Sequence, residues 1–137
     1  MELETNDRRQ VVGVVIYTLA ERQKLSYLKE VLYGLEEEEI PFWVEKEMFP
    51  TEDIVWAAYR AAIRSVFGVG LCCAHNGIVI HHRNLRKQKP LFYISRQQCT
   101  RKKARLLGAN AARLIKGIPF ILPVHFMTPP MKPLSNT

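Results

Sequence analysis

Apolar residues along this chain change period several times, and each change marks an element. "VVGVVIY" (11–17) is a continuous, β-branched apolar run of the kind carried by a strand covered on both faces. Leu25, Leu28, Leu32 and Leu35 then recur at spacings of three and four, which places them on one stripe of a helix. Pro41 stops that pattern, and "PFWVE" reads as a second strand. "TEDIVWAAYRAAIRS" (51–65) opens on a capping-type residue, Thr51, and is rich in alanine, so it predicts a second helix able to pack closely. "VFGVGLCC" (66–73) predicts a third strand, "HNG" (75–77) a turn, and "IVIHH" (78–82) and "LFYIS" (91–95) two further short strands. The last helix is "RKKARLLGANAARLIKG" (101–117), with Leu107, Ala111 and Leu114 on one face and Gly117 as its stop. The order β-α-β-α-β-β-β-α predicts an α/β fold: a single-domain layered sandwich with a mixed, mainly parallel sheet.

This reading divides the chain into a polar N-terminal extension (1–10), an α/β domain (11–120) and a proline-rich C-terminal tail (121–137). Four prolines in the tail exclude a long helix or central strand there. "EIPF" (39–42) and "GIPF" (117–120) each close a predicted helix and imply a shared stop chemistry. The longest apolar run, residues 11–20, is too short to span a bilayer, and "MELETNDRRQ" is too polar for a signal peptide, so the expectation is a soluble cytosolic protein.

Charge changes the picture more than composition does. All 13 acidic residues lie in positions 1–53 with 6 of the 20 basic ones, a net of −7, while positions 54–137 hold 14 basic residues and no acid. Such polarity suits either nucleic-acid binding through the basic half or docking to partners of complementary potential. The run "RKKAR" (101–105) is the best nucleic-acid candidate, but no aromatic residue interleaves its cations and no helix-turn-helix or RRM signature accompanies it. A solvated basic helix start is the better reading, although cations at that end oppose the helix dipole and point to an external anion.

Enzyme chemistry finds little support. No G-x-x-x-x-G-K-[ST] or G-x-S-x-G occurs, and "GVG" (68–70) lies inside a predicted strand. His81 and His82 are neighbours on a strand, so one packs and the other is solvated. Cys72, Cys73 and Cys99 offer no C-x-x-C pair, which favours buried reduced thiols over a disulfide framework or a zinc site.

The glutamates Glu36 to Glu39 close the leucine-striped helix at its negative dipole end. On a wheel of about 100° per residue Glu37 falls opposite the stripe, with Glu36 and Glu38 flanking it. Glu39 would swing back onto the buried face, so the helix ends before it. From chemistry alone a solvated acidic helix end is favoured over a bound divalent cation, although carboxylate oxygens are suitable ligands for one.

"EVLYGLEEEEIPF" and "LGANAARLIKGIPF", with "PLFYI" between them and an alanine-rich second helix, resemble the small (beta) subunit of glycerol and diol dehydratase reactivases, the dehydratase-reactivating factors. The resemblance spans residues 11 to 120 and implies the fold of a dehydratase medium subunit. It implies a non-catalytic accessory subunit that joins a large, actin-type ATPase subunit in a two-plus-two complex. That complex releases damaged cobalamin from an inactivated adenosylcobalamin-dependent dehydratase by subunit exchange, this chain transiently joining the dehydratase large subunit. ATP and cobalamin are then not bound by this chain alone, nucleic acid and membrane are not partners, and the location is cytoplasmic, free or associated with a bacterial microcompartment. Matching "GLEEEEIPF" to the family's "GIEEEGIPF" assigns to Glu37 a ligand role toward Mg²⁺ or Ca²⁺ shared with the large subunit, and puts Glu39 where the family carries glycine. A medium-subunit-like component of a dehydratase itself is the alternative, and a basic nucleic-acid-binding domain a third.

Overall fold

Five strands and three α-helices, in the order β-α-β-α-β-β-β-α, make up the computed structural model, which describes residues 10–21, 24–47 and 52–121. The strands are β1 (Val14–Thr18), β2 (Phe42–Lys46), β3 (Val69–Ala74), β4 (Gly77–His82) and β5 (Phe92–Ser95). The helices are α1 (Leu28–Glu37), α2 (Ile54–Arg64) and α3 (Arg101–Lys116). This is the α/β order expected from the sequence.

The sheet order is β2-β1-β3-β4-β5. β1 lies parallel to both neighbours, with Ile16 facing Val44 and Leu71. β3 and β4 form an antiparallel hairpin closed by the Ala74–Gly77 pair, so His75 and Asn76 are its two-residue turn. β5 is antiparallel to β4 and therefore runs with β1, β2 and β3, which makes four of five strands codirectional.

Strand alternation sorts the core into two layers. Val14, Ile16, Leu71, Ile80 and Ile94 face α1 and α3, while Val15, Tyr17, Cys72 and Val79 face the side of α2. Cys72 and Cys73 accordingly leave β3 on opposite faces, and all three cysteines are free and buried.

Both layers are thin because small residues sit where backbones cross. Ala57, Ala58, Ala61 and Ala62 of α2 are fully buried, and a Cβ on Gly70 of β3 would lie 2.1 Å from the Ala62 nitrogen. On the other face Gly34 of α1 meets the backbone of Arg105 and Ala109, and Gly108 of α3 meets that of Val31. The α1–α3 crossing is thus a reciprocal glycine contact.

Some element bounds differ from the sequence expectation. β1 begins at Val14 because Gly13 takes φ 152°; Val11 instead forms an isolated bridge with Ser65. α2 is capped by Asp53, whose carboxylate accepts from Val55 N (3.1 Å) and Trp56 N (3.0 Å), while Thr51 lies outside the described residues. The extension and the tail also lie outside them, apart from Gln10 and Ile121.

Candidate functional site

The end of α1 carries the acidic run, and its backbone explains how the chain turns there. Glu39 N–H donates to Glu36 O (3.0 Å) and Ile40 N–H to Leu35 O (3.1 Å), the paired bonds of a Schellman stop. α3 ends the same way: Ile118 N–H reaches Arg113 O (3.2 Å) around Gly117 at φ 71°. The twin "EIPF" and "GIPF" segments therefore close two helices with one motif. Glu39 holds at φ 60° the left-handed position that glycine holds in the second copy. That conformation costs a side-chain-bearing residue about 1–2 kcal/mol, partly offset by glycine's greater unfolded-state entropy. Glu39→Gly is expected to stabilise the protein by about 0.5–1 kcal/mol. A higher urea midpoint at unchanged slope checks it.

The glutamates themselves divide into three roles. Glu38 is drawn under α3, its side chain 14% exposed, accepting from Arg113 Nε (3.1 Å) and Lys116 Nζ (3.0 Å). The bond from Lys116, joined by Arg113 against the effect of partial burial, holds its carboxyl below the ordinary value. Glu37 faces out with 55% of its side chain exposed, as the helical wheel predicts, yet it accepts from Arg105 Nη1 (2.9 Å). Arg105 is anchored chiefly elsewhere, since its Nε and Nη2 both donate to Glu30 Oε1 at 3.0 and 2.8 Å. Glu36 and Glu39 are exposed.

This arrangement revises the reading of the charge split. Three cations of α3 (Arg105, Arg113 and Lys116) are matched to three acids of α1 and its stop (Glu30, Glu37 and Glu38). The basic run at 101–105 is therefore not wholly solvated: Arg101 and Lys102 are exposed, but Arg105 is taken by the glutamates. Further intrachain pairs join Arg64 to Glu45 (2.8 Å) and Arg60 to Glu47. Much of the polarity of the sequence is thus complementarity between two halves that fold against each other. Sequence reasoning missed these partners because they lie 68 to 78 residues away from the glutamates they bind.

What the rim can do chemically follows from which oxygens are accessible. Glu37 can turn one oxygen toward a hard cation without unmooring Arg105, which keeps Glu30. Among the described residues no group of three or more His, Cys, Asp or Glu side chains is placed to hold a metal ion. A cation at Glu37 would accordingly need most of its ligands from another chain.

Other candidates are structural. His81 is fully buried, receiving the His82 N–H at Nδ1 (2.9 Å) and lying 3.0 Å from Lys87 O through Nε2, edge-on to Tyr59. With Nδ1 taken up by the His82 N–H, Nε2 is the ring nitrogen placed to donate to Lys87 O. His82 is partly exposed, so the pair divides as expected. Burial raises the thiols of Cys73 to about 12 and Cys99 to about 11 and that of Cys72 well above its ordinary value, which leaves none a nucleophile at neutral pH. No helix among the described residues is long and apolar enough to cross a membrane.

Fold and helix end together describe a small α/β domain with a charged edge where α1 meets α3. A family model for the dehydratase medium subunit matches residues 13–121, and the chain belongs to that family, among the dehydratase-reactivating factor small subunits. It is 45% identical over 95 residues to the propanediol dehydratase-reactivating factor small subunit of Salmonella typhimurium, covering 69% of this chain and 79% of that one. To the corresponding protein of Citrobacter freundii it is 43% identical over 91 residues, covering 66% and 76%. Its fold is similar to a chain of the diol dehydratase-reactivating factor complexed with ADP and Mg²⁺, with a TM-score of 0.70, 35% identity and coverage of 80% and 96%. A glycerol dehydratase reactivase chain is similar with a TM-score of 0.74, 25% identity and coverage of 82% and 98%.

Proposed function

We propose that this chain is the accessory, non-catalytic small subunit of an ATP-dependent reactivating factor for an adenosylcobalamin-dependent diol or glycerol dehydratase. The carrying observation is its 42–45% identity to chains named as reactivating factor small subunits. ATP turnover belongs to a large partner subunit, in a two-plus-two complex located in the cytoplasm, free or within a microcompartment. Because the family model matched is that of a dehydratase medium subunit, the exchange reading gains a physical basis: a chain of that fold can occupy a medium subunit's place. By leaving the large subunit and taking that place, it opens the dehydratase and frees damaged cobalamin. The domain acting in this exchange is residues 11–120, between the polar extension (1–10) and the tail (121–137).

Glu37 is proposed to reach across the subunit boundary as one ligand of a divalent cation, Mg²⁺ or Ca²⁺, held mainly by the large subunit. Its exposed carboxylate and hard oxygen donors suit that role, and the presence of Mg²⁺ in the related diol dehydratase factor supports it. Co-purification with the large subunit, with and without Mg²⁺, tests it. Glu37→Gln is expected to weaken the complex about tenfold in Mg²⁺ and to leave the Mg²⁺-free affinity unchanged. Equal affinity of Glu37→Gln and native protein in Mg²⁺ would return Glu37 to a solvated helix end.

The family match also favours a second reading, a medium-subunit-like component of a dehydratase itself. That reading predicts a coenzyme-induced spectral change when this chain joins a dehydratase large subunit, which the reactivase reading does not.

A further inference from the structure

The segments that follow β1, β3 and β5 meet at one end of the sheet and enclose a pocket of ≈ 70 Å³. One water needs roughly 10–15 Å³, so the space suits about five heavy atoms rather than a single solvent molecule. These are the carboxyl ends of three codirectional strands, where open α/β sheets collect ligands because the connections diverge there.

The rim is cationic. Lys24 and Ser26 come from the β1–α1 connection, His75 from the β3–β4 turn and Arg96 from the turn after β5, and all four are exposed. Among the described residues no acidic side chain lines the pocket. Lys46, Arg64, Arg105, Arg113 and Lys116 are each spent on a glutamate, and Glu21, bonded to Lys46, also attracts Lys24, but among the described residues no carboxylate forms an ion pair with Arg96. Lys24 and Arg96, on two sides of one opening with the His75 ring between the same walls, concentrate positive potential there.

The floor is of opposite character. Leu28, Cys73, Ile78 and Cys99 are buried and belong to the main core. Such a surface cannot satisfy an oxyanion's lone pairs, whereas it accepts a short hydrocarbon stem. An anion therefore keeps its charged head at the rim and turns its carbon atoms inward.

We propose that this pocket binds a small organic oxyanion, a carboxylate or phosphate monoester with a stem of a few carbons. Its oxygens lie on Lys24, His75 and Arg96 and its stem on the apolar floor. The site is independent of the cation role of Glu37 and of the reactivase reading.

Titration of the ¹⁵N-labelled full chain with ethyl phosphate, butyrate and inorganic phosphate tests it by amide shifts. Saturable shifts confined to residues 24–28, 73–78 and 96–99 are expected, for ethyl phosphate or butyrate at about threefold or greater affinity than for inorganic phosphate. Whichever of the first two binds more tightly identifies the head group. Lys24→Gln and Arg96→Gln, both at exposed positions, are each expected to weaken binding about two- to fivefold while leaving the folded spectrum intact. Unsaturable shifts, shifts equally large at Arg86 and Lys89, equal affinity for inorganic phosphate, or affinities indifferent to both substitutions would overturn the proposal.

Discussion

Gly108→Ala is expected to destabilise the protein by about 2–3 kcal/mol, although helix propensity alone predicts a gain of up to about 1 kcal/mol. The sign is decided by the crossing of α1 and α3. A Cβ at position 108 would lie 2.0 Å from the Val31 carbonyl oxygen and 2.9 Å from its carbon, both backbone atoms that cannot rotate away. Relief therefore requires the helices to separate, and Gly34, whose Cβ would lie 2.2 Å from Arg105 O, sits in the same contact from the other side. Separation also strains the pairs that Arg105, Arg113 and Lys116 make with the α1 glutamates. Gly117→Ala is the control: nothing lies within 4 Å of its Cβ, so only the left-handed φ of 71° is charged against it, about 1 kcal/mol. Urea unfolding of both variants distinguishes the cases. A Gly108→Ala protein more stable than native would mean that the helices do not cross at glycine.

Leu35→Ala is expected to cost about 3–4 kcal/mol and Leu32→Ala about 1 kcal/mol, although the two belong to one stripe in the sequence. Leu35 is fully buried in the core that joins α1 and α3 to the sheet, whereas Leu32 is half-buried at its margin. Truncating Leu35 leaves a cavity beneath the turn that presents the glutamates. Truncating Leu32 removes contacts that solvent can replace. Equal losses in the two unfolding midpoints would contradict this placement of the stripe.

The difference between those leucines shows how far the sequence could be read. Element order was legible because the apolar period switches cleanly, from the apolar run at 11–17 to the three-and-four spacing of Leu25, Leu28, Leu32 and Leu35, and because Pro41 and the "HNG" turn punctuate it. The outward aspect of Glu37 was legible for the same geometric reason, and the Schellman stop was announced by the "EIPF" and "GIPF" twins. The buried members Val31 and Gly34 were not, since their burial follows from where α3 crosses rather than from the pattern of α1. Nor was the pairing of Glu37 and Glu38 with Arg105, Arg113 and Lys116, although the complete separation of acidic and basic halves was its trace. Local periodicity specifies which face of an element is buried. It does not specify which distant element covers that face.

A chain that completes a reactivating factor, as proposed, should be required to rescue an inactivated dehydratase. The most direct test inactivates a diol or glycerol dehydratase by loading it with a damaged cobalamin. Recovery of activity is then followed with added adenosylcobalamin, ATP and Mg²⁺, in the presence of the large subunit alone, this chain alone, or both. Recovery only when both are present is the predicted result. No recovery with both present, or full recovery with the large subunit alone, would mean that this chain is not the small subunit of such a factor.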